Sequence, residues 1–141
     1  QLLAEAARNA GVITAEEFAV FQNAGYMGLY GGMTVDDIHR KKNLEVGQKI
    51  LDYMGSTELI ANLFRISQTE EKLRKDRISN SDSASAVHYK VGSEVREAIE
   101  KIGGTMPEDL PTPEKSIAQL EKEQLQRLKQ QALDGQLMLD E

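Results

Sequence analysis

The side chains best suited to chemistry in this sequence are cationic, and they cluster at one turn near the middle of the chain. Arg40, Lys41 and Lys42 are consecutive, and Gln48 and Lys49 follow shortly after. Cationic side chains contact DNA phosphates, and a Gln side chain can bind a base edge. Two short helices predicted around this turn loosely resemble a helix-turn-helix, whose second helix faces DNA. These five residues are therefore the candidate nucleic-acid site, with a solvated turn as the alternative and phosphate contact favoured over base reading.

Two tyrosines, Tyr26 and Tyr30, lie in a glycine-rich stretch at residues 25–32. Glycine loops bind phosphate when a strand precedes them, a helix follows and a lysine stands at fixed spacing. None of these features is found here. We interpret the stretch as a tight turn between helices whose tyrosines pack on neighbours, and keep Tyr26 and Tyr30 as a candidate partner-binding or base-stacking surface.

Residues for catalysis or metal binding do not form a recognisable set. The chain has no cysteine, which excludes thiolate catalysis and cysteine-based zinc sites. Asp36 and His39 share a helix face, but no third ligand can be named, so a structural hydrogen bond is favoured. His88 stands far from both. We expect no enzyme activity, no metal and no cofactor.

Charge and hydropathy favour a water-exposed helical protein. The net charge is −6 and the pI is about 5.0, so polyanions are repelled overall, although residues 38–77 are net positive. No apolar run approaches the roughly 20 residues that a membrane span needs. The sequence predicts an all-α, compact bundle of about six to seven helices with Gly- and Pro-rich connectors. The predicted helices cover residues 2–10, 14–23, 34–41, 45–54, 57–77, 84–102 and 113–133.

Caps and stops delimit these helices. Thr14 with Glu17 predicts a capping box, Thr34 a second cap, and Gly11 and Gly103 predict helix ends. The Ser-rich stretch 79–86 is predicted to be a mobile loop. In helix 57–77 an apolar face is wide enough to be largely buried. Its members are Leu59, Ile60, Leu63, Phe64, Ile66 and Leu73.

The last helix divides the chain into two predicted parts. Residues 1–112 form a helical core domain, and 113–141 form a C-terminal helix and tail. Pro113 is predicted at the first turn of that helix and Gly135 at its end. Its leucines are sparse, so we expect the helix and tail to pack on the core or on a partner, with the helix extended in the second case. Two chains could pair through 113–139 as a homodimer. The uncapped first helix also leads us to expect a preceding N-terminal domain.

Three blocks of the sequence resemble one family. They are FQNAGYMGLYGG at residues 21–32, ILDYMGSTELIANLFR with QTEEKL within 50–73, and GGTMPEDLPTPEKSI at 103–117. All three resemble the C-terminal half of the bacterial DNA-damage-inducible protein D family. The resemblance extends from about residue 14 to residue 122, and the blocks occur in the same order.

The resemblance implies a cytoplasmic bacterial protein of the SOS response, with an N-terminal half similar to phage antirepressor domains. It supplies no catalytic residue. We therefore expect a non-enzymatic interaction module that binds a repair or recombination protein, such as a recombinase filament. Direct DNA binding through residues 38–77 is the alternative. An enzyme such as a nuclease is a third class, which would need several carboxylates converging on one cleft.

Overall fold

A computed structural model describes residues 2–138 and shows six α-helices in that part of the chain. Two 3₁₀ turns, Ile50–Tyr53 and Pro107–Asp109, lie in the connections. The described residues contain no strand, and the predicted all-α bundle is confirmed. The helices are α1 (Leu2–Asn9), α2 (Ala15–Leu29), α3 (Val35–Lys41), α4 (Ser56–Lys75), α5 (Ser81–Ile102) and α6 (Ile117–Met138).

Local signals at the helix ends act as the sequence predicts. Thr14 forms a capping box with Glu17, and Thr34 forms one with Asp37, so that each pair satisfies backbone N–H groups at a helix start. Gly103 ends α5 in the left-handed conformation, at φ 86°. These ends are specified by residues within one helical turn, which explains why they could be predicted from the sequence.

The glycine-rich stretch 25–32 is helical over most of its length, so the prediction of a connector there is wrong. Helix α2 continues to Leu29, six residues beyond the predicted end at Asn23. Its glycines allow close contact with α5. A Cβ on Gly28 would lie 2.2 Å from the Tyr89 carbonyl oxygen, and one on Gly92 would lie 2.7 Å from the Gly25 carbonyl oxygen. These glycines therefore serve helix packing.

The second helix of the expected helix-turn-helix does not form. Residues 45–48 are a turn, and the 3₁₀ turn Ile50–Tyr53 replaces the helix predicted over 45–54. Asn43 and Gly47 both have positive φ, at 58° and 89°. Left-handed residues at this spacing interrupt helical hydrogen bonding, so no recognition helix follows the basic turn.

Two further boundaries differ from the predictions. Helix α5 starts at Ser81, because the Asn80 side chain accepts a hydrogen bond from the Ser83 N–H, so residues 81–86 are helix and not loop. Helix α6 starts at Ile117, after Pro113, with the Ser116 hydroxyl accepting from the Gln119 N–H at 3.2 Å. It continues through Gly135 to Met138; Leu139 of the predicted tail lies outside the described residues.

Helix α4 buries only part of the predicted apolar face: Leu73 is 2% exposed, and Leu59 and Ile66 are partly buried. Ile60, Leu63 and Phe64 are 66%, 51% and 55% exposed, although the sequence predicts them in a largely buried face. Most of the buried face is polar, and Glu58, Asn62 and Arg65 find hydrogen-bond partners on other elements. Its members are Glu58, Asn62, Arg65, Thr69 and Leu73.

The apolar interior consists of two clusters on either side of this polar face. One is built around Leu29 and Ile38, and the other around Phe21 and the alanines of α1. Helices α2 and α5 make the most extensive contact in the bundle. Within residues 2–138, no helix combines the length and the apolar content needed to cross a bilayer.

Candidate functional site

A hydrogen-bonded row of polar side chains crosses the interior along the inner face of α4. Burying a polar or charged group is costly unless it is hydrogen-bonded or paired, so each member of such a row needs a partner. The residues that follow α2 and α3, together with helix α5, supply these partners. We call this row the polar spine: Lys42, Glu58, Tyr30, Asn62, Arg65 and His88.

The first end of the polar spine is a buried ion pair. The Lys42 ammonium donates to Glu58 Oε1 at 2.7 Å, and the two side chains are 6% and 0% exposed. Lys42 also donates to the Tyr53 carbonyl at 3.2 Å and to the Thr112 hydroxyl at 3.3 Å. The ammonium therefore has three acceptors, and the residue fixes the connection after α3 to the start of α4.

Tyr30 and Asn62 form the middle of the polar spine. The Tyr30 hydroxyl donates to Glu58 Oε2, and it accepts from Asn62 Nδ2 at 3.0 Å. Burial, reinforced by the Glu58 carboxylate, raises the pKa of Tyr30 far above its ordinary value. The phenol therefore stays protonated and acts as a fixed hydrogen-bond donor.

Arg65 is the cation at the second end. Its Nη2 donates to Asn62 Oδ1 at 2.9 Å, its Nη1 to His88 Nε2 at 2.6 Å, and its Cζ lies 4.6 Å from the centroid of the Tyr26 ring. A guanidinium over an aromatic face gains electrostatic stabilisation. Burial lowers the pKa of Arg65 and raises that of Tyr26, because both charged forms are poorly solvated there.

His88 ends the row and links it to α2. With Nε2 accepting from Arg65, its Nδ1–H donates to the Phe21 carbonyl at 2.8 Å. Burial, and secondly the Arg65 charge, lowers the pKa of His88 to about 3. The imidazole is therefore neutral at neutral pH, and the row as a whole holds two cations and one carboxylate.

Cavities adjoin the polar spine at both ends. One, of about 430 Å³, is lined by Tyr30, Lys41 and Lys42 together with the proline segment around Pro107. The other, of about 490 Å³, is lined by Tyr26, Arg65 and His88 among apolar side chains. No group of three or more His, Asp or Glu side chains within residues 2–138 is arranged to hold a metal ion. The arrangement is suited to binding through fixed polar groups.

The two tyrosines predicted as a partner surface lie in the interior. Tyr26 is 9% exposed and Tyr30 1%, because the glycines around them belong to α2 and turn both rings toward α4 and α5. Neither ring is exposed enough to serve as an outer surface for a partner or a base, although Tyr26 lines a cavity. The packing alternative that the sequence also offered describes them correctly.

The basic residues predicted to bind nucleic acid do not form one cationic surface. Arg40 pairs with Asp37 at 2.6 Å, Lys41 lies 3.6 Å from Asp109, and Lys42 is buried. The structure thus removes Lys42 from the predicted surface and leaves Lys49 exposed.

Gln48 is also engaged within the protein. Its Nε2 donates to the Tyr53 hydroxyl at 3.0 Å, and its Oε1 accepts from the Glu45 N–H at 2.7 Å. The Gln48 carbonyl accepts from His39 Nε2 at 2.8 Å, the structural role favoured for that histidine. Because the amide nitrogen and the amide oxygen of Gln48 are both hydrogen-bonded within the protein, the side chain is poorly placed to bind a base edge.

Sequence reasoning missed Glu58, Asn62 and Arg65 as an interior set. Their spacing of four and three residues was visible, since it places them on one face of a helix. Polar residues at that spacing usually form a solvated face, and the exposed apolar residues of α4 repeat at the same period. The distant partners that bury these polar residues gave no local signal.

Comparison with known proteins identifies the family. The family model for the DinD C-terminal domain matches residues 1–120. The chain belongs to this family. DNA damage-inducible protein D of Escherichia coli (strain K12) is 59% identical to this DinD C-terminal domain over 119 residues, which are 84% of the chain. The chain spans 43% of the length of that relative. No solved structure matches the chain.

Proposed function

We propose that this DinD C-terminal domain is a non-enzymatic interaction module of a cytoplasmic bacterial protein that acts in the response to DNA damage. It binds a protein of the repair or recombination machinery, and a recombinase filament is the first partner to test. The single observation that supports a binding role is the outer face of α4. Ile60, Leu63 and Phe64 are each more than half exposed there.

This face has the geometry of a helix-mediated contact. Its three residues follow the spacing i, i+3 and i+4, which places them side by side on one helix. Apolar anchors at that spacing are typical of helices that dock into a partner's groove. The polar spine supports the same role, because its ion pair and hydrogen bonds fix the orientation of α4 and keep this face outward.

The experiment measures binding of the full 141-residue chain to a recombinase filament assembled on single-stranded DNA. Leu63→Ser and Phe64→Ser should each weaken binding about tenfold or more, as expected for a central apolar anchor. Val46→Ser is the matched control, since Val46 is apolar and fully exposed but lies on the turn after α3. Wild-type chain that neither binds the filament nor alters strand exchange would refute the recombinase as partner.

Direct DNA binding through residues 38–77 is less well supported by the geometry. Arg40, Lys41 and Lys42 each have a carboxylate close by, which reduces the positive potential that phosphates would meet. The replacements Arg40→Gln and Lys49→Gln test this alternative without disturbing the buried Lys42. DNA binding that falls and loses its salt dependence in this double variant would favour it.

Pairing of two chains through residues 113–139 stays a prediction. Helix α6 has leucines that are exposed in the single chain: Leu120, Leu125, Leu128 and Leu133. Light scattering across a concentration series measures the association, and a strict monomer at high concentration would contradict it.

A further inference from the structure

The second end of the polar spine opens into a groove that the binding face of α4 does not account for. Its volume of about 490 Å³ lies in the range of roughly 300–1,000 Å³ that is usual for ligand sites. Side chains of α1, α2, α4 and α5 line it. We call it the Arg65 groove, and the residues that matter for its chemistry are Leu3, Phe18, Leu63, Arg65, Ile66 and Glu70.

Arg65 brings an uncompensated positive charge to this groove. The residue is 2% exposed, and its side-chain hydrogen bonds go to Asn62 and His88, both neutral. Its Nε has no hydrogen-bond partner among the described residues, and no carboxylate in that part of the chain forms an ion pair with it. A buried charge is stable when it is paired, so the guanidinium is a strong candidate to receive an anion.

Lys42 shows how the same helix neutralises a buried cation when no ligand is involved. Its ammonium has the Glu58 carboxylate at 2.7 Å and two further oxygen acceptors. Arg65 lies on the same face of α4 as Glu58, two turns further along the helix. Its guanidinium has the face of the Tyr26 ring and two neutral acceptors in place of a carboxylate. Lys42 is therefore neutralised by a carboxylate of the protein. Arg65 has no such carboxylate among the described residues, so its charge can be used to bind an anion.

The surroundings of Arg65 restrict the kind of ligand that can carry the anionic group. The walls of the groove are mainly apolar, with Phe18, Leu63 and Ile66 among them. Glu70 also lines the groove, and its carboxylate disfavours a ligand with many negative charges, such as a nucleic-acid backbone. Leu2 and Leu63, which also line the groove and are 61% and 51% exposed, carry its apolar lining out to the surface, so a ligand longer than a small organic acid gains further contact.

We propose that the Arg65 groove binds a peptide segment of a partner protein in which a single carboxylate stands among apolar side chains. The carboxylate pairs with Arg65, and the apolar side chains pack on Phe18, Leu63 and Ile66. This proposal rests on the proposed function as a protein-binding module and deepens it, because it names the chemistry of the bound segment.

The test uses two synthetic peptides and the full chain. Both peptides have blocked termini and the order Leu-Leu-X-Leu-Phe, with X either Asp or Asn. We expect the Asp peptide to bind about tenfold tighter or more than the Asn peptide, since a charge-assisted hydrogen bond is lost in the latter. Titration followed by ¹H–¹⁵N chemical shifts measures both affinities and shows whether the side-chain Nε resonance of Arg65 moves.

Variants then test the wall of the groove, which shares Leu63 with the outer face of α4. Leu63→Ser removes a half-exposed wall residue and leaves the polar spine intact, so it should weaken the Asp peptide severalfold. Val46→Ser, which alters an exposed apolar residue outside both the groove and the outer face of α4, should leave the affinity unchanged. Arg65→Lys keeps the charge but changes the donor geometry, and it should reduce the preference for Asp over Asn. Equal affinities of the two peptides for the wild-type chain would overturn the proposal.

Failure of this proposal can be distinguished from failure of the proposed function. Filament binding that Leu63→Ser and Phe64→Ser weaken, together with peptides that bind equally, would refute only the carboxylate site. An Asp peptide that binds selectively to a chain without affinity for the filament would refute only the recombinase as partner.

Discussion

The bundle is held together in two contrasting ways on its two long central interfaces. Between α2 and α5, glycines bring the backbones so close that a methyl group would clash. Along the inner face of α4, charged and polar side chains fill the interior and bond to one another. The α2–α5 interface depends on close fit, so an added atom destabilises it. The inner face of α4 depends on charge balance, so the loss of one partner destabilises it.

The contrast teaches that the two interfaces have different weaknesses. At the close interface an added group forces the two helices apart, and overpacking of this kind costs about 1–3 kcal/mol. A buried ion pair fails at once when one partner is removed, because the remaining charge is desolvated and unpaired. His88 belongs to both interfaces: its ring would be 2.2 Å from a Cβ on Gly25, and its Nε2 accepts from Arg65.

The largest effect is expected from breaking the ion pair at the first end of the polar spine. Glu58→Gln leaves the buried Lys42 ammonium without a carboxylate and should lower the free energy of unfolding by about 3–5 kcal/mol. Urea denaturation followed by circular dichroism measures the change. The double variant with Lys42→Met should recover much of the loss, because no charge then remains unpaired at this end.

Arg40→Gln is the matched control for this experiment. Arg40 stands two residues before Lys42 and also pairs with a carboxylate, but its side chain is 73% exposed. Solvated pairs contribute about 0–1 kcal/mol, so this variant should unfold almost like wild type. Losses of similar size in Glu58→Gln and Arg40→Gln would show that burial does not make the Lys42–Glu58 pair more important for stability than the Arg40–Asp37 pair.

A smaller loss is expected from adding a methyl group to the close helix interface. Gly28→Ala places a Cβ 2.2 Å from the Tyr89 carbonyl oxygen, and both helices must move apart to admit it. Overpacking of this kind costs about 1–3 kcal/mol, which thermal or urea unfolding measures. Gly135→Ala is the control, since a Cβ there meets nothing within 4 Å and alanine is the better helix former, by about 1 kcal/mol.

The glycines also show which part of the fold the sequence could predict. Gly103 was correctly predicted as a helix end, and Gly25 was incorrectly predicted as one, although both follow helical patterns. The difference lies in α5, which packs on Gly25 and makes the missing side chain useful within a helix. Residues so distant in the sequence give no local signal next to Gly25. The low helix propensity of glycine, taken alone, favoured a turn.

The orientation of α4 could not be predicted from neighbouring residues in the sequence, for the same reason. Its exposed apolar residues and its buried polar residues both repeat with helical period, so periodicity does not decide which face is inside. The partners decide it, and Tyr30, Lys42 and His88 are 28, 16 and 23 residues away from the α4 residues that they contact. The capping boxes at Thr14 and Thr34 and the helix ends at Gly11 and Gly103, by contrast, depend on local residues, and the sequence predicted them.

A pH-dependent effect links the two interfaces through the protonation of His88. Because its pKa is lowered to about 3 in the folded chain and is about 6.5 when unfolded, the unfolded state binds the extra proton between these values. Stability is therefore highest above pH 6.5 and falls with acidification, by up to about 1.4 kcal/mol per pH unit. Urea titrations at several pH values measure this slope.

The window between pH 6.5 and about 4.5 isolates this histidine from the carboxyl groups with lowered pKa values. Glu17, Asp37, Asp76 and Glu108 have pKa values below their ordinary ones, so their contributions are lost only at lower pH. His88→Asn should lower stability at pH 7, because Arg65 loses an acceptor, and should flatten the slope in this window. A slope that persists unchanged in His88→Asn would contradict a neutral, buried imidazole at the junction of the two interfaces.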